Sequence, residues 1–201
     1  MNRRRAGTLL LAAGAALLLY SGATWASGTL ARDRARGEWE AMLARERVRS
    51  LRATLDAGAA SPTARGAPVA RLVIPRIGLD EIVVEGVGDR ELNAGPGHLP
   101  GSALPGERGN AVLSAHRDRH FSDLDRLTIG DTLFTETIAG RRAWVIAQRR
   151  VLNSAAPALF QSEEPELTLT TCWPVRYFGP APDRLLLVAR PLVRSSVSRS
   201  S

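Results

Sequence analysis

The hydrophobic pattern changes rhythm twice along this chain of 201 residues. Positions 6–28 carry no charge and are rich in Leu and Ala. Over 31–55 most positions are charged, while Ala35, Trp39, Met42, Leu43, Val48, Leu51 and Leu55 recur at steps of three or four. That spacing predicts a helix with one apolar stripe. Positions 57–68 are small, with Gly and Pro, and read as a linker. Beyond them the rhythm shortens to alternation or brief apolar runs at 69–74, 82–87, 111–115, 132–137, 143–147, 167–171 and 185–189. Seven or so short strands punctuated by Gly, Pro and Asp, without long helical crossovers, predict an all-β sandwich or closed barrel.

Two short helices interrupt this pattern. One is expected to start at Ser122, with Asp125 at the capping-box position and Phe121, Leu124 and Leu127 turned inward; the other lies near 155–160. Positions 93–110 hold five glycines and three prolines and are expected to form neither strand nor helix. A loop of this length inside a small domain is often functional, and it leads directly into the strand at 111–115.

Arg3, Arg4 and Arg5 precede the uncharged run, which is long enough at 1.5 Å per residue to cross a bilayer core of about 30 Å. The expectation is an export segment kept as a single-pass anchor in the inner membrane, with the body outside the cytoplasm. A signal peptide cleaved near Thr24 and Ala26 is the other reading and leaves the compartment unchanged. The predicted organisation is therefore 1–28 anchor, 29–68 juxtamembrane helix and linker, 69–193 β domain and 194–201 disordered tail.

Charge narrows the function. The formal net charge is +7, but residues 1–66 hold 11 Arg against 5 acidic groups whereas residues 67–201 hold 16 against 15. A nearly neutral β domain without interleaved aromatics does not read as a nucleic-acid binder. There is no lysine in the chain, so the protein offers no side-chain amine as a nucleophile. The acidic residues Asp118, Asp123, Asp125, Glu163, Glu164 and Glu166 read as solvated charges rather than a metal cage, and no metal or cofactor is expected.

The candidate chemistry centres on Cys172, the only cysteine. In LTLTTCW (167–173), alternation sets Leu167, Leu169 and Thr171 on one strand face and Thr168, Thr170 and Cys172 on the other. A lone cysteine is often just a buried small hydrophobe. A reactive one needs a base or cation nearby, because an ordinary thiol is only a few per cent thiolate at neutral pH. Three histidines compete for that role. His116 ends the strand AVLSAH and ranks first, ahead of His120 at the start of the short helix and His98 within the glycine-rich loop. The His116-x-x-x-His120 spacing imitates a zinc pair, but a strand-to-turn transition would not turn both rings to one face. Arg184 opens the apolar strand RLLLVA. If that strand pairs with LTLTT, its guanidinium returns beside Cys172 and can hold the oxygen of a tetrahedral intermediate.

Taken together, these stretches resemble the sortase family. SAHRDRHFSDLDRLTIGD (114–131) is similar to the segment that carries the sortase histidine, and TLTTC (168–172) to the family's TLxTC nucleophile motif. Arg184 falls where sortases place their catalytic arginine, and GPGH together with PGERGN resembles the loop before the histidine. Trp173-Pro174 is most like sortases of Gram-negative bacteria. The resemblance covers about 67–192. It implies a closed sortase-type β-barrel of about eight strands and a cysteine transpeptidase that cleaves a C-terminal sorting signal in a secreted protein. By the same resemblance Cys172 is the nucleophile, His116 the proton donor and Arg184 the oxyanion partner. The thioester passes to an amine acceptor of the cell envelope, and Thr170 and Thr171 shape the substrate pocket. A cysteine hydrolase with the same dyad and a non-catalytic periplasmic binding or assembly module are the alternatives.

Overall fold

The short alternating runs pair into one closed sheet. The computed structural model describes residues 3–52, 64–153 and 162–192. The strands are β1 (Pro68–Ile74), β2 (Leu79–Glu85), β3 (Gly97–His98), β4 (Asn110–Ser114), β5 (Thr132–Thr137), β6 (Gly140–Asn153), β7 (Glu166–Trp173) and β8 (Asp183–Pro191). They close in the order β1-β2-β3-β4-β7-β8-β6-β5. Closure leaves no exposed strand edge. Pairing is antiparallel except for β2 with β3 and β4 with β7, and the β4–β7 pair sets the site.

One face of each strand fills the barrel. Leu72, Ile74, Leu113, Leu133, Trp144, Ile146, Leu167, Leu169, Leu185 and Leu187 are buried there, together with Phe121, Leu124 and Leu127 from the connection after β4. The largest of these, Trp144, keeps its indole N–H satisfied by donating to Thr135 Oγ1 at 2.8 Å, as a buried polar group requires. The inward turn expected of Phe121, Leu124 and Leu127 is observed, but the helix is only a 3-10 turn, Leu124–Arg126, without a side-chain cap. Asp125 is too short to reach back as a Glu would.

The glycine-rich stretch is more ordered than its composition suggests. Its first residues end a short helix, Asp89–Ala94, and Gly97 and His98 form β3. Gly97 is required sterically: a Cβ there would collide with the carbonyl oxygen of Gly86 and press on Leu92. His98 is buried, its Nδ1 2.6 Å from Glu85 Oε2 and its Nε2 2.9 Å from both Ser102 Oγ and the Ala103 carbonyl. Ser102 Oγ also accepts from the Val112 N–H at 3.2 Å, so this network ties the loop to β4.

The uncharged run and the charged stripe form one helix, α1 (Arg3–Arg52). Its stripe docks as the spacing predicts: Ala35 and Trp39 are buried against Ile82 and Val84 of β2, with Met42 and Leu43 alongside. The membrane expectation is corrected here. Among the described residues no helix is long and apolar enough to cross a membrane, so a single-pass placement in the inner membrane is not supported. The strongly apolar part, Leu9 to Tyr20, covers only about 18 Å at 1.5 Å per residue, against a bilayer core of about 30 Å. The second short helix, near 155–160, and the tail, 194–201, lie outside the described residues, as does most of the linker.

Candidate active site

Three adjacent strands, β4, β7 and β8, carry the residues singled out in the sequence. The strand registers define rows across their outer face. Val112 pairs with Thr168, and Thr168 with Val188; Ser114 pairs with Thr170, and Thr170 with Leu186. In the next row, Cys172 is the register partner of Arg184. Side chains directly opposite on neighbouring strands share a face with Cβ atoms about 5 Å apart. The register of β4 continues past its last residue, because the Ala115 N–H donates to the Thr170 carbonyl at 3.2 Å. His116 lies two residues beyond Ser114, where the strand has ended; a continued register would carry it toward the row of Cys172 and Arg184.

The local sequence explains each position. Leu167 and Leu169 pull one face of β7 into the core, which turns Cys172 outward, where it is exposed. Leu185 and Leu187 do the same for β8 and leave Arg184 exposed at its mouth. His116 is half-buried. Its carbonyl accepts from the N–H groups of Arg119 at 3.3 Å and Phe121 at 3.2 Å, a turn pinned by the buried Phe121 ring. Among the described residues no hydrogen bond joins the side chains of His116, Cys172 and Arg184. The row is open, as is common in catalytic sites before substrate tightens them.

The two threonines differ. Thr171 points inward and its hydroxyl donates to the Ala115 carbonyl at 2.8 Å, latching β7 to the backbone just before His116. Thr170 lies on the outer face beneath Cys172, and its buried Oγ1 has no partner among the described residues. The other two histidines are drawn elsewhere. His98 belongs to the buried network described above, not to the solvated loop position expected of it. His120 is buried with Nδ1 3.4 Å from both Glu81 Oε1 and an Arg32 nitrogen. Burial alone would push the Glu81 carboxyl up, but the His120 ring and the Arg32 and Arg36 guanidiniums together hold it below its ordinary value.

Sequence reasoning passed over the contacts that frame this row. Nine residues, Pro174 to Pro182, connect β7 to β8, starting with a cis Trp173-Pro174 bond. Arg117 donates to the carbonyls of Pro174 at 3.0 Å and Gly179 at 2.6 Å, and its guanidinium lies 5.7 Å from the Tyr177 ring centre. Arg176 reaches back to Asp125 at 3.2 Å and Asp123 at 3.3 Å, so these acids are not solvated charges alone. Arg149 covers the Trp173 ring at 5.2 Å. The only signal for Arg117 was its adjacency to His116, which does not separate it from the other arginines.

Comparisons with known proteins bear on the fold and the family. Residues 72–192, more than half of the chain, match the family model described as the sortase domain. Sortase D of Bacillus subtilis is 35% identical over 121 residues, 59% of this chain and 61% of that protein. The chain thus spans less than two thirds of the length of that curated relative. Among solved structures, sortase C1 of Streptococcus agalactiae is 32% identical, covering 65% of this chain and 70% of that one with a TM-score of 0.58. A Sortase D5 transpeptidase of Clostridium perfringens, 21% identical, covers 84% of this chain and 99% of that one with a TM-score of 0.64, which is a likeness of fold. These relatives come from Gram-positive bacteria, so the finer likeness to sortases of Gram-negative bacteria is not shown. The closed barrel of eight strands, the open row at the ends of β4, β7 and β8, and the matched family model all lead to one conclusion: this chain belongs to the sortase family of cysteine transpeptidases.

Proposed function

We propose that the chain cleaves a C-terminal sorting signal in a secreted protein and transfers the new acyl end to an amine. Cys172 is the nucleophile: its sulfur attacks the scissile carbonyl, between a Thr-like residue and Gly, to give a tetrahedral intermediate. As that intermediate collapses, the C–N bond breaks and His116 gives a proton to the departing amine, leaving a thioester on Cys172. An amine of a cell-envelope component or another protein then attacks the thioester carbonyl. Its C–N bond forms, the amine passes a proton to the now neutral His116, the C–S bond breaks, and the sulfur keeps the electron pair, which restores the thiolate and the imidazolium. Arg184 donates to the oxyanion, a role in which a lost donor costs about 2.7 to 4 kcal/mol. Thr171 acts by holding the backbone before His116, and Thr170 offers a hydroxyl beneath the sulfur. The observation that carries this reading is the register pairing of Cys172 with Arg184 at a strand end where the thiol is exposed, one row beyond Ser114 and Thr170.

The absence of lysine supports transfer over self-modification, since no side-chain amine can capture the thioester. Family membership is compatible with action outside the cytoplasm. The likeness to sortases of Gram-negative bacteria rests on Trp173-Pro174 and on the expected N-terminal anchor, and among the described residues no helix is long and apolar enough to be that anchor. The test is mass spectrometry of the protein mixed with a peptide library bearing Thr-Gly bonds, with and without glycinamide as acceptor. An acyl adduct on Cys172 that glycinamide converts to an amide product is expected. An adduct released only to the free acid would favour a hydrolase, and no adduct with any peptide would end the reading.

A further inference from the structure

The loop that joins the cysteine strand to the arginine strand buries one apolar side chain, Val175, outside the main barrel cluster. Tyr177 is half exposed and Phe178 fully exposed, and the loop's polar anchors come from the segment that begins at His116. Arg117 alone bonds both ends of the stretch 174–179. One guanidinium nitrogen donates to the Pro174 carbonyl, two residues after Cys172, and another to the Gly179 carbonyl. The planar fork suits this two-point geometry, and a lysine ammonium would not reproduce it. On the opposite side Arg176 closes the same two segments through Asp123 and Asp125.

Backbone connectivity makes the consequence direct. Arg117 is peptide-bonded to His116, whose own backbone is fixed on its other side by Ala115 and Thr171. The geometry points to Arg117 as a positioning residue: its fork fixes the loop between Cys172 and Arg184 to the His116 backbone, and so sets the distance from imidazole to sulfur. This rests on the reading of Cys172 and His116 as a working pair. It does not place Arg117 in contact with substrate. Misplacing a catalytic group by about 1 Å can cost roughly 100-fold in rate, so a tether of this kind carries a measurable effect.

The single cysteine makes the test clean, because alkylation of the full chain by iodoacetamide reports on Cys172 alone. Rates are measured for the wild type, Arg117→Ala, Arg117→Lys, His116→Ala and the double variant His116→Ala/Arg117→Ala. Arg117→Ala is expected to slow alkylation about 10-fold. Lys, which keeps the charge but not the fork, is expected to restore less than half of that loss, and in the His116→Ala background the Arg117 change is expected to add nothing. An unchanged rate in Arg117→Ala, full recovery with Lys, or an equal loss without His116 would overturn the proposal. An unchanged rate in His116→Ala would instead remove the working pair, and the proposal with it. Thermal melts confirm that folded proteins are compared. Should Arg117→Ala fail to fold, Arg117→Gln, which keeps one amide donor, takes its place with the same expected order.

Discussion

Two histidines on neighbouring strands show how differently one barrel can use the same side chain. His98 on β3 is buried, and both ring nitrogens face partners: Glu85 on one side, Ser102 and the Ala103 carbonyl on the other. His116, two residues past the end of β4, is half-buried and has no side-chain hydrogen-bond partner among the described residues. A ring with both nitrogens satisfied holds a loop in place, whereas an unbonded ring leaves its nitrogens available, as the proton transfer proposed for His116 requires. His120 stands between the two: buried, with one nitrogen near Glu81 and Arg32 and the other without a partner among the described residues. Hydrogen-bond saturation separates these roles where residue type does not.

The comparison can be broken most directly at the sulfur. Cys172→Ala is expected to lower transfer by at least roughly 1000-fold with an unchanged melting temperature, because the side chain is exposed. Transfer at the wild-type rate, read by mass spectrometry of product, would sink the open-row interpretation. His116→Ala comes next, with a loss of about 100-fold to 10,000-fold in turnover and a similarly intact fold by circular dichroism. If His116→Ala kept full turnover and His98→Ala lost it, the two histidines would have been assigned the wrong way round.

His98→Ala should show the opposite profile. Removing the ring strands the Glu85 carboxylate, on a side chain only 13% exposed, at a cost of about 3 kcal/mol. Melting is expected to drop by about 10 °C, while the turnover of molecules that remain folded changes little. A melt unaffected by the substitution would contradict the tethering role.

The smallest effect concerns His120's neighbour. Glu81 is held below its ordinary value, as described, and Asp80 likewise, chiefly by the bidentate Arg71 bonds at 2.8 and 2.7 Å. A carboxyl whose folded pKa is depressed contributes stability that is full above its ordinary value near pH 4 and is lost as pH falls through the folded value. Melts from pH 6 to pH 3 should therefore fall less steeply for Glu81→Gln than for the wild type. Identical acid limbs would show that the Arg32–Glu81–His120 contacts add nothing to folding.

Much of this architecture was legible because period-two patterns and buried faces are local properties. The runs at 111–115, 167–171 and 185–189 are strands, and Ala35, Trp39, Met42 and Leu43 dock as their spacing implies. The glycine-rich stretch was misread because β3 is two residues long and depends on pairing with β2 and β4, which no propensity encodes. The cap proposed at Ser122 failed for a related reason: burial of Phe121 and Leu124 dictates a tight turn. The membrane reading rested on an uncharged run rich in Leu and Ala behind three arginines, and among the described residues no helix is long and apolar enough to cross a membrane.

The sequence by itself determined that short strands form an all-β sandwich or closed barrel, that one cysteine ends an alternating strand, that a histidine ends another and that an arginine opens a third, since alternation and turn residues act within a few positions of the chain. Only the tertiary structure decided that Arg184 is the register partner of that cysteine, that His98 and His120 are drawn into buried contacts of their own, and that Arg117 staples the intervening loop. The cysteine and arginine strands are close in sequence, but the loop contact joins segments more than fifty residues apart, Arg117 and Pro174, and such contacts are set by closure of the whole sheet.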